Sequence, residues 1–350
     1  MPRVRDFAAR SNRFALAVIA AGAFLFAASL VGAPSNRIHL FPKFTPGETL
    51  RYRIETRMTT SGTMTTPIVN PEAPSQLKQS VSLLLRLEVL DPPPAAAGPS
   101  GSVRLRAKYE KSKAASQSDA YDPAASSLED QYDRLEGRSM EFTIEPDGKI
   151  SGITGIEDAL ANPSTAAIVR SWMSGLSSGA GFPKEGIEIG KKWSSERPLE
   201  GSPLAGLLWR TESTYLRDEP CNPASDSAAA NSVAAPASAA TPPPSNQIGY
   251  ACAVIVTRFE ILRHASAHAE VTPPDYLHNG LRTSGTWTGS GESLDAISLA
   301  SGLVVRSTQR GTQDMDFEIV SAASGSKLHY VGRVETQSEI SLLPPSPPQP

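Results

Sequence analysis

Between Ser80 and Val89 the chain reads Ser-Val-Ser-Leu-Leu-Leu-Arg-Leu-Glu-Val, with apolar residues at every odd position from Val81 to Val89. A period of two belongs to a pleated strand with one buried and one wet face, and no helix accommodates it. The same period runs from Thr49 to Thr59, where Leu50, Tyr52, Ile54 and Met58 oppose Arg51, Arg53, Glu55 and Arg57. It returns at Val103, Leu105, Ala107 and Tyr109, then at Leu207, Trp209, Thr211, Ser213 and Tyr215, and at Tyr250, Cys252, Val254 and Val256. Four short strands are expected over 281–289, 293–300, 303–309 and 315–320, with Ser301-Gly302 and Gly311-Thr312 as turns, and a last one over 328–338. Many strands at short spacing define a mainly β fold, an antiparallel β-sandwich or a curved half-barrel.

One amphipathic helix interrupts the pattern. Asn162 is a good N-cap and Pro163 suits the first helical position. Ile168, Val169, Trp172, Met173 and Leu176 then form an apolar stripe at helical spacing, predicting a helix over 163–177. A fresh strand is expected from Gly186 to Trp193, and Leu128, Tyr132 and Leu135 suggest a short helix. The β-rich body spans 41–343, and its two halves, 41–160 and 186–343, look alike in outline. A proline-rich tail, 344–350, follows.

The first 33 residues point to export. Arg3, Arg5, Arg10 and Arg13 precede an uncharged apolar run from Phe14 to Val31, the pattern of a signal peptide or an N-terminal membrane anchor. The run is long for a signal and short for a transmembrane helix, so both readings stand. In either case the body is expected outside the cytoplasm, periplasmic, secreted, or held at the inner membrane. The formal net charge is −3, and the leader contributes four of the arginines, which argues against a nucleic-acid partner.

Cys221 and Cys252 are the only cysteines. An even number in an exported chain suggests a disulfide, here at the base of an Ala/Ser/Pro-rich segment, 222–247, whose composition predicts disorder. Closing such a loop is worth about 3–4 kcal/mol in the chain-entropy treatment.

Chemistry-bearing motifs are weak. Gly175-Leu-Ser-Ser-Gly179 matches a nucleophile elbow but follows a helix instead of a strand, and reads better as a helix end. His264, His268, Glu270 and His278 lack a fixed ligand geometry, and Asp314, Asp316 and Glu318 line one strand face. Gly285 to Gly291 lacks the lysine and the helix of a phosphate loop. The expectation is therefore a non-enzymatic protein without cofactor or metal.

The layout resembles a loose group of exported bacterial proteins of unknown function. The likeness rests on the basic leader, Pro46-Gly-Glu-Thr-Leu-Arg-Tyr52, Asp147-Gly-Lys-Ile150 with Gly152-Ile153, and Gly190-Lys-Lys-Trp193. It implies an exported β-rich body with no established activity. The long strands also look like those of periplasmic lipoprotein-carrier half-barrels. Two roles follow as expectations: an envelope protein acting as scaffold or binding a partner, or a carrier of lipid or lipoprotein with an apolar cavity under the central helix. Such a cavity would be lined by Tyr52, Trp172, Trp193, Trp209, Trp287 and Tyr330. A hydrolase would need a site assembled from distant strands.

Overall fold

The computed structural model describes residues 37–66, 75–90, 101–119, 123–145, 150–157, 169, 172–173, 182–199, 202–221, 251–263 and 271–344. The leader, most of the central helix, the 222–247 segment and nearly all of the proline tail lie outside them. So do Gly175–Gly179, His264, His268 and Glu270. No described helix is long and apolar enough to cross a membrane.

Eleven strands form one open antiparallel sheet. They are β1 (Thr49–Thr65), β2 (Ser75–Val89), β3 (Val103–Ser118), β4 (Ser139–Ile144), β5 (Ile150–Thr154), β6 (Lys192–Pro198), β7 (Leu207–Pro220), β8 (Ala251–Arg263), β9 (Leu281–Ser298), β10 (Val304–Ser321) and β11 (Lys327–Leu342). Their order is β5-β4-β3-β2-β1-β11-β10-β9-β8-β7-β6. The mainly antiparallel β fold is thus as expected. It is a single sheet that does not close into a barrel, and both halves of the sequence belong to it. The first half winds outward from β1 to β5 and the second returns from β6 to β11, so the two meet where β1 pairs with β11.

Among the described residues two short helices accompany the sheet, α1 (Pro123–Asp133) and α2 (Pro274–His278). Val169, Trp172 and Met173 of the expected central helix are helical as well. Strand alternation sends odd positions of β1 and even positions of β2 to a polar face, and the others to an inner face.

At the end where β1 begins, here termed the base, the inner face is a packed core. Tyr52, Leu85, Leu105, Tyr109 and Phe142 lie under Leu128, Tyr132 and Leu135 of the α1 region and under Val169, Trp172 and Met173. Each of these large apolar groups contributes about 1.5–3 kcal/mol by leaving water. A second cluster, Leu40, Ile187, Tyr215, Ile255, Ile297 and Val304, fills the base below β7–β10. The Tyr52 hydroxyl donates to the Val304 carbonyl at 3.0 Å and links the two clusters. A third, smaller cluster of Leu204, Leu207 and Ile261 sits at the far end of β7 and β8.

The structure corrects the expected boundaries in two places. Gly186 and Ile187 do not open a strand: Ile187 makes an isolated bridge to Ile38, and β6 begins at Lys192. The four short strands over 281–320 are two long ones, β9 and β10, and Gly311-Thr312 is not a turn. Gly311 lies in mid-strand beside Gly291 because the ring of Phe259 lies across both. A Cβ on Gly311 would stand 2.7 Å from Phe259 Cζ, and one on Gly291 2.2 Å from the same atom. These glycines make room for a ring and do not reverse the chain.

The disulfide joins Cys221, just after β7, to Cys252 on β8, as expected from the sequence. It closes the base of the long segment between those strands.

Candidate functional site

Long strands carry the sheet well beyond its core. At 18 residues, β9 and β10 run about 60 Å. Among the described residues, the inner face is covered most heavily at the base, with Leu204 and Val271 covering part of its far end, and the polar face bears no covering element.

On the polar face, cross-strand register aligns charge. One row reads Glu212 on β7, Arg258 on β8, Glu292 on β9, Arg310 on β10, Gln337 on β11 and Arg57 on β1. Signs alternate over the first four, so that each charge faces its opposite directly across the antiparallel pair. Arg310 bonds Glu292 through its guanidinium. Beside this row, Arg210 reaches Glu196 and Glu260, both at 3.6 Å. The Lys192 ammonium, hydrogen-bonded to Glu212, holds that carboxyl below the usual range.

Two grooves open on these strands. One, of about 800 Å³, is lined by Arg258, Glu260, Glu292, Arg310 and Glu335 among others. The other, of about 620 Å³, continues over Arg57, Glu55, Leu294 and Glu339. Glu339 stands directly opposite Glu55, a like-charge pair that Arg306 relieves by bonding Glu339 at 3.2 Å. Leu294, 47% exposed, is an apolar contact in an otherwise charged surface. The arrangement suits a partner bearing both charge signs along its length.

The inner face changes character half-way along the strands. Ser213, Thr257, Ser293, Gln309, Ser338 and Thr56 occupy one cross-strand row from β7 to β1 and form a polar belt. Ser213 and Thr257 share a hydroxyl bond of 2.8 Å, and Thr56 and Ser338 one of 3.2 Å. Just on the core side of the belt, half-buried Asp295 accepts from Ser293 at 2.9 Å and from Ser307 at 2.5 Å. Burial pushes its carboxyl above the ordinary range, which the two hydroxyls only partly offset. Beyond the belt lie rings: Trp209 stacks on Phe259 with centroids 4.5 Å apart, and Phe317 tilts onto Tyr330 at 5.3 Å.

The six aromatics expected to share a cavity are distributed over the inner face. Tyr52 and Trp172 are in the largest core cluster. Trp193 packs on the second cluster, edge to Phe182, while Trp209 and Trp287 flank the third. Tyr330 stands with Phe317. None of the six lines either groove. Under the helical residues the space is filled: Trp172 is 3% exposed and meets Tyr109 and Phe142 edge-on at 6.3 and 6.4 Å.

The other sequence candidates are also placed. Asp314 and Glu318 pair with Arg333 and Lys327 of β11 at 3.5 and 3.1 Å, and Asp316 is hydrogen-bonded to the His329 ring at 2.8 Å. His278 ends α2. Gly285 to Gly291 is part of β9. The groove residues were missed by sequence reasoning. Alternation shows that Arg258, Glu292 and Arg310 face water, but only register shows that they form one row.

No known protein family matches the chain, and no curated protein is similar to it in sequence.

Proposed function

We propose that the protein is a non-enzymatic envelope protein, exported by its leader, that binds a partner along the polar face of β8–β11 and β1. The supporting observation is the pair of charged grooves, set in a register of arginines and carboxylates and left uncovered by every described element. A photo-crosslinking residue at Gln337, inside both grooves, should give a discrete adduct in envelope preparations, and Arg258→Glu with Arg310→Glu should abolish it. No adduct, or one unaffected by the reversals, would refute this assignment.

A second reading, the lipid or lipoprotein carrier, draws on a different feature. Trp209, Trp287, Phe317 and Tyr330 are only half-buried on the inner face beyond the polar belt, and an apolar chain would lie there and not under the central helix. Native mass spectrometry of the purified body separates the two, since a carrier retains lipid and a protein-binding scaffold does not.

A further inference from the structure

Charge on the polar face is shared unevenly along the strand order. On β7–β10 the central row alternates in sign. On β1–β3 a row nearer the base carries a single sign: Arg51 stands opposite Arg86, and Arg86 opposite Lys108, three cations in one cross-strand row. Like charges placed directly across a sheet destabilise it.

The neighbouring rows add to the excess. β3 presents Arg104, Arg106, Lys108, Lys111 and Lys113 on this face, against Glu110 at its bulge. β1 adds Arg51, Arg53 and Arg57 against Glu55, and β2 adds Lys78 and Arg86 against Glu88. With Glu141 of β4 included, ten cations face four carboxylates, in a chain whose net charge is −3.

Most of those carboxylates are already engaged. Arg51 holds Glu110 at 2.7 Å, Arg104 and Arg106 share Glu141 at 2.9 and 2.8 Å, and Arg106 also approaches Glu88 at 3.6 Å. Lys108, Lys111 and Lys113 are exposed and have no carboxylate partner among the described residues. The opposite face of the same strands is sealed core, so these lysines have nowhere to turn but outward.

We infer that the polar face of β1–β3 docks on an anionic phospholipid surface. The cations are spread over three strands about 4.8 Å apart and do not converge on one pocket, which matches an array of headgroups better than a single small anion. Basic residues near an anionic bilayer each raise affinity about five-fold. The leader read from the sequence would also deliver the chain at a membrane. The docking surface meets the smaller groove at β1, where Glu55 and Arg57 line it, but β3 contributes to neither groove, so the β3 lysines test this inference separately.

The test uses residues 38–350, one compact unit holding every described strand and core cluster, so that the leader cannot insert. Flotation is measured with phosphatidylcholine vesicles, with and without phosphatidylglycerol, across a salt series. Binding should require phosphatidylglycerol and weaken as salt rises. Lys111→Gln with Lys113→Gln should lower affinity about 25-fold, and the corresponding glutamate pair should lower it further. Lys184→Glu with Lys191→Glu, an equal charge change away from β3, should leave it within about two-fold of the unaltered body. Both β3 pairs replace exposed side chains; should the glutamate pair unfold the body, the glutamine pair supplies the reading. The inference is overturned if flotation ignores phosphatidylglycerol, if the β3 pairs bind normally, or if the distant pair loses as much. Binding to soluble polyphosphate without binding to vesicles overturns it equally.

Discussion

Replacing Trp172 by alanine tests whether the helical residues over β3 and β4 are core or a lid. Deleting a buried tryptophan costs about 3–5 kcal/mol, including lost edge-on ring contacts of about 0.5–1.5 kcal/mol each to Tyr109 and Phe142. One contribution runs the other way. Among the described residues Trp172 Nε1 has no acceptor in good hydrogen-bond geometry, and removing an unsatisfied donor returns about 1–3 kcal/mol. The expected net cost is therefore reduced to about 2 kcal/mol. Trp172→Phe retains an aromatic ring, removes the donor and should cost under about 1.5 kcal/mol. Equilibrium urea unfolding followed by near-ultraviolet circular dichroism reads both, with fluorescence of the three other tryptophans as a second probe. A lid would be drawn from the low-stability end of the structure. An unchanged midpoint for Trp172→Ala, or equal losses for alanine and phenylalanine, would refute the core assignment.

Three further outcomes are expected. Cys221→Ser with Cys252→Ser should lower stability by about 3–4 kcal/mol, and a reductant should lower the Tm of the native chain but not of the variant. Gly311→Ala should cost about 1–3 kcal/mol and be largely rescued by Phe259→Leu, because the ring is the nearest obstacle. Gly291→Ala should resist that rescue, since its Cβ would also stand 2.3 Å from the Arg310 carbonyl; equal rescue in denaturant unfolding would contradict the packing. Asp295 has a raised carboxyl pKa in the folded state, so its protonated form favours folding and that contribution is lost as pH rises through the raised value. Asp295→Asn should accordingly stabilise the protein near neutrality, with the difference closing in acid; a gap independent of pH would rule out the desolvated carboxylate as its cause.

The faces of the strands were legible in the sequence, because alternation at Leu50, Tyr52 and Ile54 or at Val81 to Val89 reports burial one residue at a time. Strand ends in the glycine-rich region were not. Glycine beside threonine looks the same whether it turns the chain or admits a neighbour's ring, and Phe259 lies some fifty residues from Gly311 in sequence. The charged grooves were illegible for a related reason. Arg57, Arg258, Glu292 and Arg310 come from four strands, and their alignment depends on register, which short-range pattern does not encode. The cysteine pairing was the exception, since two cysteines allow one intramolecular pairing.

The first strand and the last are partners at the centre of the sheet, with Thr56 bonded to Ser338. A chain delivered from its N-terminus therefore presents β1 early but withholds the partner of one of its edges until nearly the whole sequence has emerged. Until then β1 and β10 each offer an open backbone ladder to solvent, the exposure that invites pairing with a foreign strand. Loop closure over such a separation is slow. Two meanders can form in sequence, yet the native sheet exists only after β11 slots between them. The finished molecule hides its most adhesive edges in its middle and leaves only the short strands β5 and β6 outermost. Its period of greatest vulnerability is thus the interval between the arrival of Thr49 and that of Leu342.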